Sequence, residues 1–251
     1  MGADGIRSRC RELLDPTARA PSFTGLLSIG GFSRVGELEP TPGVQHLVFG
    51  RRGFFGYLVR DDGWTWWFAN VAASEPDRDA LRATTTADWL ARLRNTFTDD
   101  LPLIDRVLAG TAGEVGAYPI HDVRSTSTWR RGRVTLIGDA AHATSPNAGQ
   151  GASMALEDAI MLAKCLRDID DVPSALFTFE SLRRSRTERV VAYSRRLGGS
   201  KTAGPVGRRL RDLFMPMALK RFASPERMRW LYDHHIDWEH RVPETEAALP
   251  R

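Results

Sequence analysis

The chain has 251 residues, 42% hydrophobic and 26% charged, with a formal net charge of +4. This is an ordinary soluble globular composition, long enough for one large domain or two small ones. Only two cysteines are present, Cys10 and Cys165, from which no disulfide framework or thiolate metal site follows, and a reducing cytoplasm is the expected setting.

The start, MGADGIRSRC, reads as carrying no secretory signal, because it has no apolar h-region. It does not read as a myristoylation site either, because Ile6 stands where Ser or Thr is needed. A turn follows Gly2, and a helix is expected from near Arg7 to Leu14. FTGLLSIGGF (23–32) reads as a strand and GELEPTPGV (36–44) as a loop. A meander comes next: QHLVF (45–49), FFGYLV (54–59) and WTWWFANV (64–71), the last two joined at Asp62-Gly63. Asp-Gly between apolar runs predicts a hairpin turn with positive φ at both positions.

Thr86 is the expected cap of a helix with Trp89, Leu90, Leu93 and Phe97 on one face. Asp100 and Pro102 are expected to open a second helix ending near Gly110. AYPIHDV (117–123) reads as extended, and VTLIG (134–138) as a strand. From Gly151 to about Arg167 runs a helix with Ala152, Ala155, Ala159, Ala163 and Leu166 on one face, small residues that predict packing against a sheet. Its apolar run is broken by Glu157, Asp158 and Lys164, which excludes a membrane span. Pro173 opens a long helix expected to stop at Gly198-Gly199, followed by a loop (200–207), two helical pieces and a polar tail.

Arginine supplies 32 of the 35 basic residues, and residues 183–229 hold 14 basic side chains against three acidic ones. Clustered arginine can neutralise nucleic-acid phosphates. No nucleic-acid motif accompanies these, so they read as solvated helix faces in a GC-rich bacterial genome rather than a nucleic-acid surface.

The chemistry concentrates in 133–163. A strand ends in Gly138-Asp139, a loop AAHATSPNAGQG follows, and a helix begins. A carboxylate at the carboxyl end of an α/β strand lies at the ligand crevice, where it can accept hydrogen bonds from ribose-like hydroxyls. Gly149 and Gly151 let a flat ligand approach the backbone, and the helix start offers free N–H groups and a positive partial charge. His142 reads as a hydrogen-bonded structural residue, and Glu157 and Asp158 as acidic residues suited to the helix dipole. The alternating aromatics Phe54, Phe55, Tyr57, Trp64, Trp66 and Trp67 divide between core and the lining of a cavity for an aromatic ring. No GxGxxG fingerprint occurs anywhere in the chain.

The spacing G138-D139-A-A-H142-x-x-x-P146-x-x-G149-Q150-G151-A-x-x-A155-x-E157-D158-A159 resembles the GD motif of the FAD-dependent aromatic monooxygenases, the para-hydroxybenzoate hydroxylase family. G2-A3-D4-G5-I6-R7-S8-x-x-R11 resembles the DG motif of the same family, in the same order. The resemblance spans essentially the whole chain but only about the last two-thirds of a typical member.

It implies a mixed α/β fold: a partial FAD-binding Rossmann-like layer, a β-sheet substrate domain and C-terminal helices. Residues 1–14 would carry the DG part, 15–125 the substrate domain, 126–170 the GD part and 171–251 the C-terminal helices. It implies that Asp139, after Gly138, hydrogen-bonds the ribityl chain of FAD and that Pro146 lies beside the isoalloxazine. Backbone N–H groups around Gly149, Gln150, Gly151, Ala152 and Ser153 would face the flavin N1–C2=O region, Ser153 replacing the Asn of many relatives. Asp4 and Gly5 would lie near the pyrophosphate and the path of NAD(P)H. No catalytic acid or base can be named.

The implied activity is NAD(P)H-consuming hydroxylation of an aromatic or polyketide-like small molecule. Without the GxGxxG unit the diphosphate lacks its cradle, so the chain reads as a truncated frame or one part of a split gene. Weak or absent FAD binding and no hydroxylation by the chain alone are expected, with a separate chain as a possible source of the missing unit. The alternative is a non-catalytic remnant or interaction partner of a flavoprotein. A flavin-dependent halogenase is the narrower option. GWTWWFA (63–69) resembles the GWxWxIP signature, with Phe68-Ala69 in place of Ile-Pro and no lysine that can be placed beside it.

Overall fold

A computed structural model describes residues 1–36, 38–124, 126–201, 204–222 and 224–242. The chain divides into two compact units. One comprises Met1–Ser22, His121–Leu197 and the chain from Met217 on; the other comprises Phe23–Ile120 and Gly198–Pro216.

The second unit is built on a five-stranded sheet. In chain order the strands are β1 (Ser22–Arg34), β2 (His46–Phe49), β3 (Gly53–Val59), β4 (Trp64–Ala72) and β5 (Thr111–Asp122). Their spatial order is β2-β3-β4-β1-β5, and β1/β4, β2/β3 and β3/β4 pair antiparallel. The β3–β4 connection corrects the expected two-residue turn. Gly63 alone has positive φ, at +80°, and Arg60 N–H donates to the Trp64 carbonyl, which makes a three-residue loop closed by a left-handed glycine.

Alternation along the strands sorts the apolar residues. Leu27, Ile29, Phe55, Trp67, Ala69 and Val71 share one face and pack with Trp89, Leu93, Phe97, Ile104, Val107 and Leu108. Those partners lie on α3 (Thr86–Thr96), its C-cap Phe97, and α4 (Pro102–Ala109). Each large side chain so buried contributes about 1.5–3 kcal/mol. Phe55 and Trp67 stack at 5.9 Å between ring centroids. Thr85 rather than Thr86 caps α3, because Thr85 is the last residue with extended φ/ψ. Asp100 does not cap α4. Its carboxylate accepts from Arg51 N–H at 3.0 Å, and Pro102 opens the helix after Leu101.

The first unit holds α1 (Arg9–Leu14), α5 (Asp139–His142), α6 (Gly151–Asp168), α7 (Val172–Ser200) and a short, partly exposed ladder of β6 (Arg130–Arg131) and β7 (Val134–Thr135), with Leu14, Trp129, Leu136, Leu162, Cys165 and Phe179 in its core. The short helix α2 (Arg78–Ala83) belongs to the sheet unit, α8 (Pro205–Phe222) runs from that unit into the first, and α9 (Pro225–Tyr232) lies in the first. The expected strand 134–138 is reduced to Val134–Thr135, because the bonds beyond it go elsewhere. Leu136 N–H donates to the Trp129 carbonyl and Ile137 N–H to Gly2. The Gly2–Leu136 bridge is parallel, and a Cβ on Gly2 would lie 2.6 Å from the Cys10 Cβ.

Two expectations for the helices need correction. α7 continues through Gly198-Gly199 to Ser200. On α6 the buried face is Met154, Asp158, Leu162 and Cys165, whereas Ala152, Ala159, Ala163 and Leu166 are exposed and Ala155 half-buried. Most of the small-residue face is therefore open, with Ala155 lying close to Gly138. Among the described residues no helix is long and apolar enough to cross a membrane.

Candidate cofactor-binding site

The loop after β7 starts with a backbone turn that only glycine adopts easily. Gly138 has φ +57° and ψ −141°, and a Cβ there would sit 3.2 Å from the Ala155 Cβ. Its N–H donates to Asp158 Oδ2 at 2.9 Å. The same oxygen lies 2.6 Å from His142 Nε2, while Arg183 Nε donates to Oδ1 at 2.8 Å. Arg183 and Arg186 both pair with Glu157 at 2.7 Å.

Asp158 is fully buried. Burial pushes its pKa up, and the His142 and Arg183 partners outweigh that and hold it below the usual carboxylate range. Glu157 and Asp158 are therefore clamps between the loop, α6 and α7, and the helix dipole is not what accounts for them. Ser194 of α7 completes the clamp by donating to the Ser145 carbonyl at 2.6 Å and accepting from Ala148 N–H at 3.3 Å. The arginines of 183–229 are likewise not simply solvated. Arg183 is 1% exposed, and Arg195 pairs with the buried Asp122 at 2.6 Å.

What this scaffold holds up is an open ledge. Asp139 is exposed and its carboxylate has no hydrogen bond or ion pair among the described residues. Pro146 is exposed at the start of a 3-10 turn, Pro146–Ala148, and Gly149 follows in the left-handed region at φ +64° with nothing within 4 Å of where a Cβ would stand. Gln150 is buried and takes the N-cap position of α6 with no side-chain cap, Gly151 is half-buried, and Ala152 and Ser153 are exposed. The first N–H groups of α6 therefore lack intrahelical partners, as at any helix start, and face outward on a glycine-backed surface.

The DG residues join this loop. Arg11 is buried and donates to the Ala140 carbonyl at 2.9 Å and the Ile6 carbonyl at 2.6 Å. Asp4 accepts from Ser8 Oγ at 2.5 Å and Cys10 N–H at 3.0 Å. Burial opposes the shift, but these bonds lower its pKa to about 2. Its carboxylate thus closes the turn ahead of α1, and Gly5 supplies the positive φ of +79° within it. The residues present fit the ribityl and flavin end of FAD.

In the sheet unit the aromatics divide by strand alternation. Phe55, Tyr57 and Trp67 face the helices, and Phe54, Trp64, Trp66 and Phe68 the opposite side. Sequence reading placed no lysine beside GWTWWFA, yet Lys201 lies on this opposite face. Its Nζ donates to Asn70 Oδ1 at 2.8 Å and lies 4.3 Å from the Phe54 ring centroid. Only the distance in sequence hid it, since no local pattern links 201 to 54, 68 and 70.

An exposed carboxylate after a glycine-only turn, a glycine-backed loop and an uncapped helix start, in a mixed α/β fold, are features of a nucleotide-cofactor protein. More particularly, the chain belongs to the FAD-binding domain family of flavoprotein monooxygenases: the family described as "FAD binding domain" matches residues 1–194. The chain is 32% identical over 205 residues to the aurachin C monooxygenase/isomerase of Stigmatella aurantiaca, covering 79% of this chain and 50% of that protein. It is similar in structure to a salicylate hydroxylase substrate complex (TM-score 0.74, 25% identity, 93% of this chain and 61% of the other). It shares its fold with Klebsiella pneumoniae HpxO complexed with FAD and uric acid (TM-score 0.73, 23% identity, 90% and 60%). The chain spans about half the length of the curated relatives it matches.

Proposed function

We propose that the chain supplies the flavin-facing and substrate-facing parts of an FAD-dependent, NAD(P)H-consuming hydroxylase of an aromatic or polyketide-like small molecule. The observation that carries this reading is the unpaired, exposed Asp139 carboxylate on the same loop as the open Gly149 turn and the uncapped start of α6. When bound, FAD supplies the redox chemistry with NAD(P)H and O₂, and the protein supplies position and electrostatics. Asp139 would accept hydrogen bonds from ribityl hydroxyls, and Pro146 would lie against the ring. The N–H groups of 149–153, Gln150 and Gly151 included, would favour negative charge on it, as Ala152 and Ser153 leave them exposed. Asp4 and Gly5 would lie towards the pyrophosphate.

The diphosphate cradle would come from a GxGxxG-bearing βαβ segment, in cis or on a separate chain. The exposed apolar face of α6, with Leu156, Ile160 and Leu166, gives such a segment a surface to pack on. NAD(P)H supply and two free cysteines suit the cytoplasm.

Titrating FAD into the full chain, with flavin fluorescence as the readout, tests this. Weak binding is expected, weakened at least a further tenfold by Asp139→Ala, since a charge-assisted hydrogen bond is worth about 1.5–3 kcal/mol. Equal binding by both proteins would refute the role of Asp139. Flavin retained stoichiometrically through desalting would refute the need for a second segment.

A further inference from the structure

A buried ammonium is costly unless an opposite charge or a full set of hydrogen bonds offsets it. Lys201 is 9% exposed, and its hydrogen bond goes to a neutral amide oxygen, Asn70 Oδ1. Asn70 itself is buried, on the sheet face that also carries Phe54 and Phe68. The two rings lie 4.3 and 5.7 Å from Nζ and return part of the lost hydration through their π faces. Among the described residues no carboxylate pairs with Nζ, and burial alone pushes its pKa down, to about 8. Lys164, also buried, differs in bonding the backbone carbonyl of Asp237.

The surroundings are aromatic and partly open. Phe68 is half-buried and Trp66 is 38% exposed, with their ring centroids 5.2 Å apart on the same face. Gly56 makes room for Phe68, since a Cβ there would come within 2.3 Å of its ring. The face thus sets a buried ammonium, with no carboxylate partner among the described residues, next to a flat and partly exposed aromatic surface.

We propose that Lys201 recognises the anionic oxygen of an aromatic acid bound on this face of the sheet, with the ligand ring against Phe68 and Trp66. Calling that ligand the substrate rests on the hydroxylase reading above; the anion site itself does not.

The chain contains three lysines, Lys164, Lys201 and Lys220. A Cε–Hε correlation spectrum of lysine-labelled full chain therefore has few signals to assign. Benzoate is the probe and benzamide its neutral counterpart. Saturable movement of the Lys201 signal by benzoate is expected, with benzamide at least tenfold weaker. Lys201→Met should raise the benzoate Kd at least tenfold by tryptophan fluorescence without lowering the melting temperature, and Lys201→Arg should recover part of the affinity. Equal response to benzamide, or no response at Lys201, overturns the proposal without recourse to any variant. A lower melting temperature for Lys201→Met would mark a structural lysine and overturn it as well. No flavin takes part, so failure here and failure of FAD binding are separate results.

Discussion

Both units bury charge, but they treat it differently. In the unit carrying 138–153, the Asp158 carboxylate has a backbone N–H, an imidazole and a guanidinium around it, and Glu157 has two arginines. In the sheet unit, Lys201 has one neutral amide and two rings. The first arrangement is closed around its two carboxylates, which meet only opposite charges and donors, although His142 Nδ1 is left without a partner, and it fixes the path of a loop. The second is open, with donor capacity and charge left over. Saturated buried charge goes with support, and unsaturated buried charge goes with recognition. Asp139 fits the second kind at the surface, where its exposed carboxylate directly follows Gly138 of that network.

The largest effect that can break this comparison comes from Asp158→Ala. It would leave the Gly138 N–H and the Arg183 Nε buried without their acceptor, with Glu157 still paired to Arg183, and removing one member of such a set costs about 3–5 kcal/mol. Urea unfolding should show that loss, with Asp158→Asn intermediate. A cost under about 1 kcal/mol would mean that the network is not what holds the loop, since that is no more than an exposed pair contributes. The acid limb should agree. Asp158 titrates lower folded than unfolded, so its stabilisation is complete above the ordinary carboxylate pKa and is lost as pH falls through the folded value.

Lys201 should give a smaller effect, of the same sign in pH but displaced to the alkaline side. Its folded pKa of about 8 lies below the unfolded 10.5, so across that interval the unfolded chain holds a proton that the folded chain has released. Wild-type stability should therefore rise from pH 8 to 10.5 relative to Lys201→Met, by on the order of 2 kcal/mol. Parallel curves from chemical denaturation would show that a counter-charge already compensates Lys201.

The same contrast explains what the sequence made legible. The GD loop is local: Gly138, Asp139, Pro146 and Gly149 lie within twelve residues, and the demands of a glycine-only turn and a helix start can be read from spacing. The meander was legible for the same reason, because period-two alternation and Asp62-Gly63 are short-range signals. The network roles of Glu157 and Asp158 were not, because their partners Arg183 and Arg186 come from another helix. Lys201 was the least legible, with partners at 54, 68 and 70. The exposed alanine face of α6 was misread because small residues mark close packing without stating that a partner is present.

The smallest test comes from a feature that is neither buried nor charged in the sense above. Thr85 and Asp88 form a reciprocal cap at the start of α3. Asp88 N–H donates to Thr85 Oγ1 at 3.2 Å, and Thr85 N–H donates to Asp88 Oδ2 at 3.2 Å. Thr85→Ala should cost about 1 kcal/mol, because an N-cap oxygen satisfies one orphan donor of the first turn. The pair is solvent-exposed and shares no contact with Lys201 or Asn70, so its cost should add to that of Lys201→Met within about 0.5 kcal/mol. Thr85→Ala should also leave the benzoate response at Lys201 unchanged. Non-additive stability, or a changed benzoate response, would mean that the ligand face senses the helices on the other side of the sheet. The distinction between supporting and recognising charges would then have to include α3.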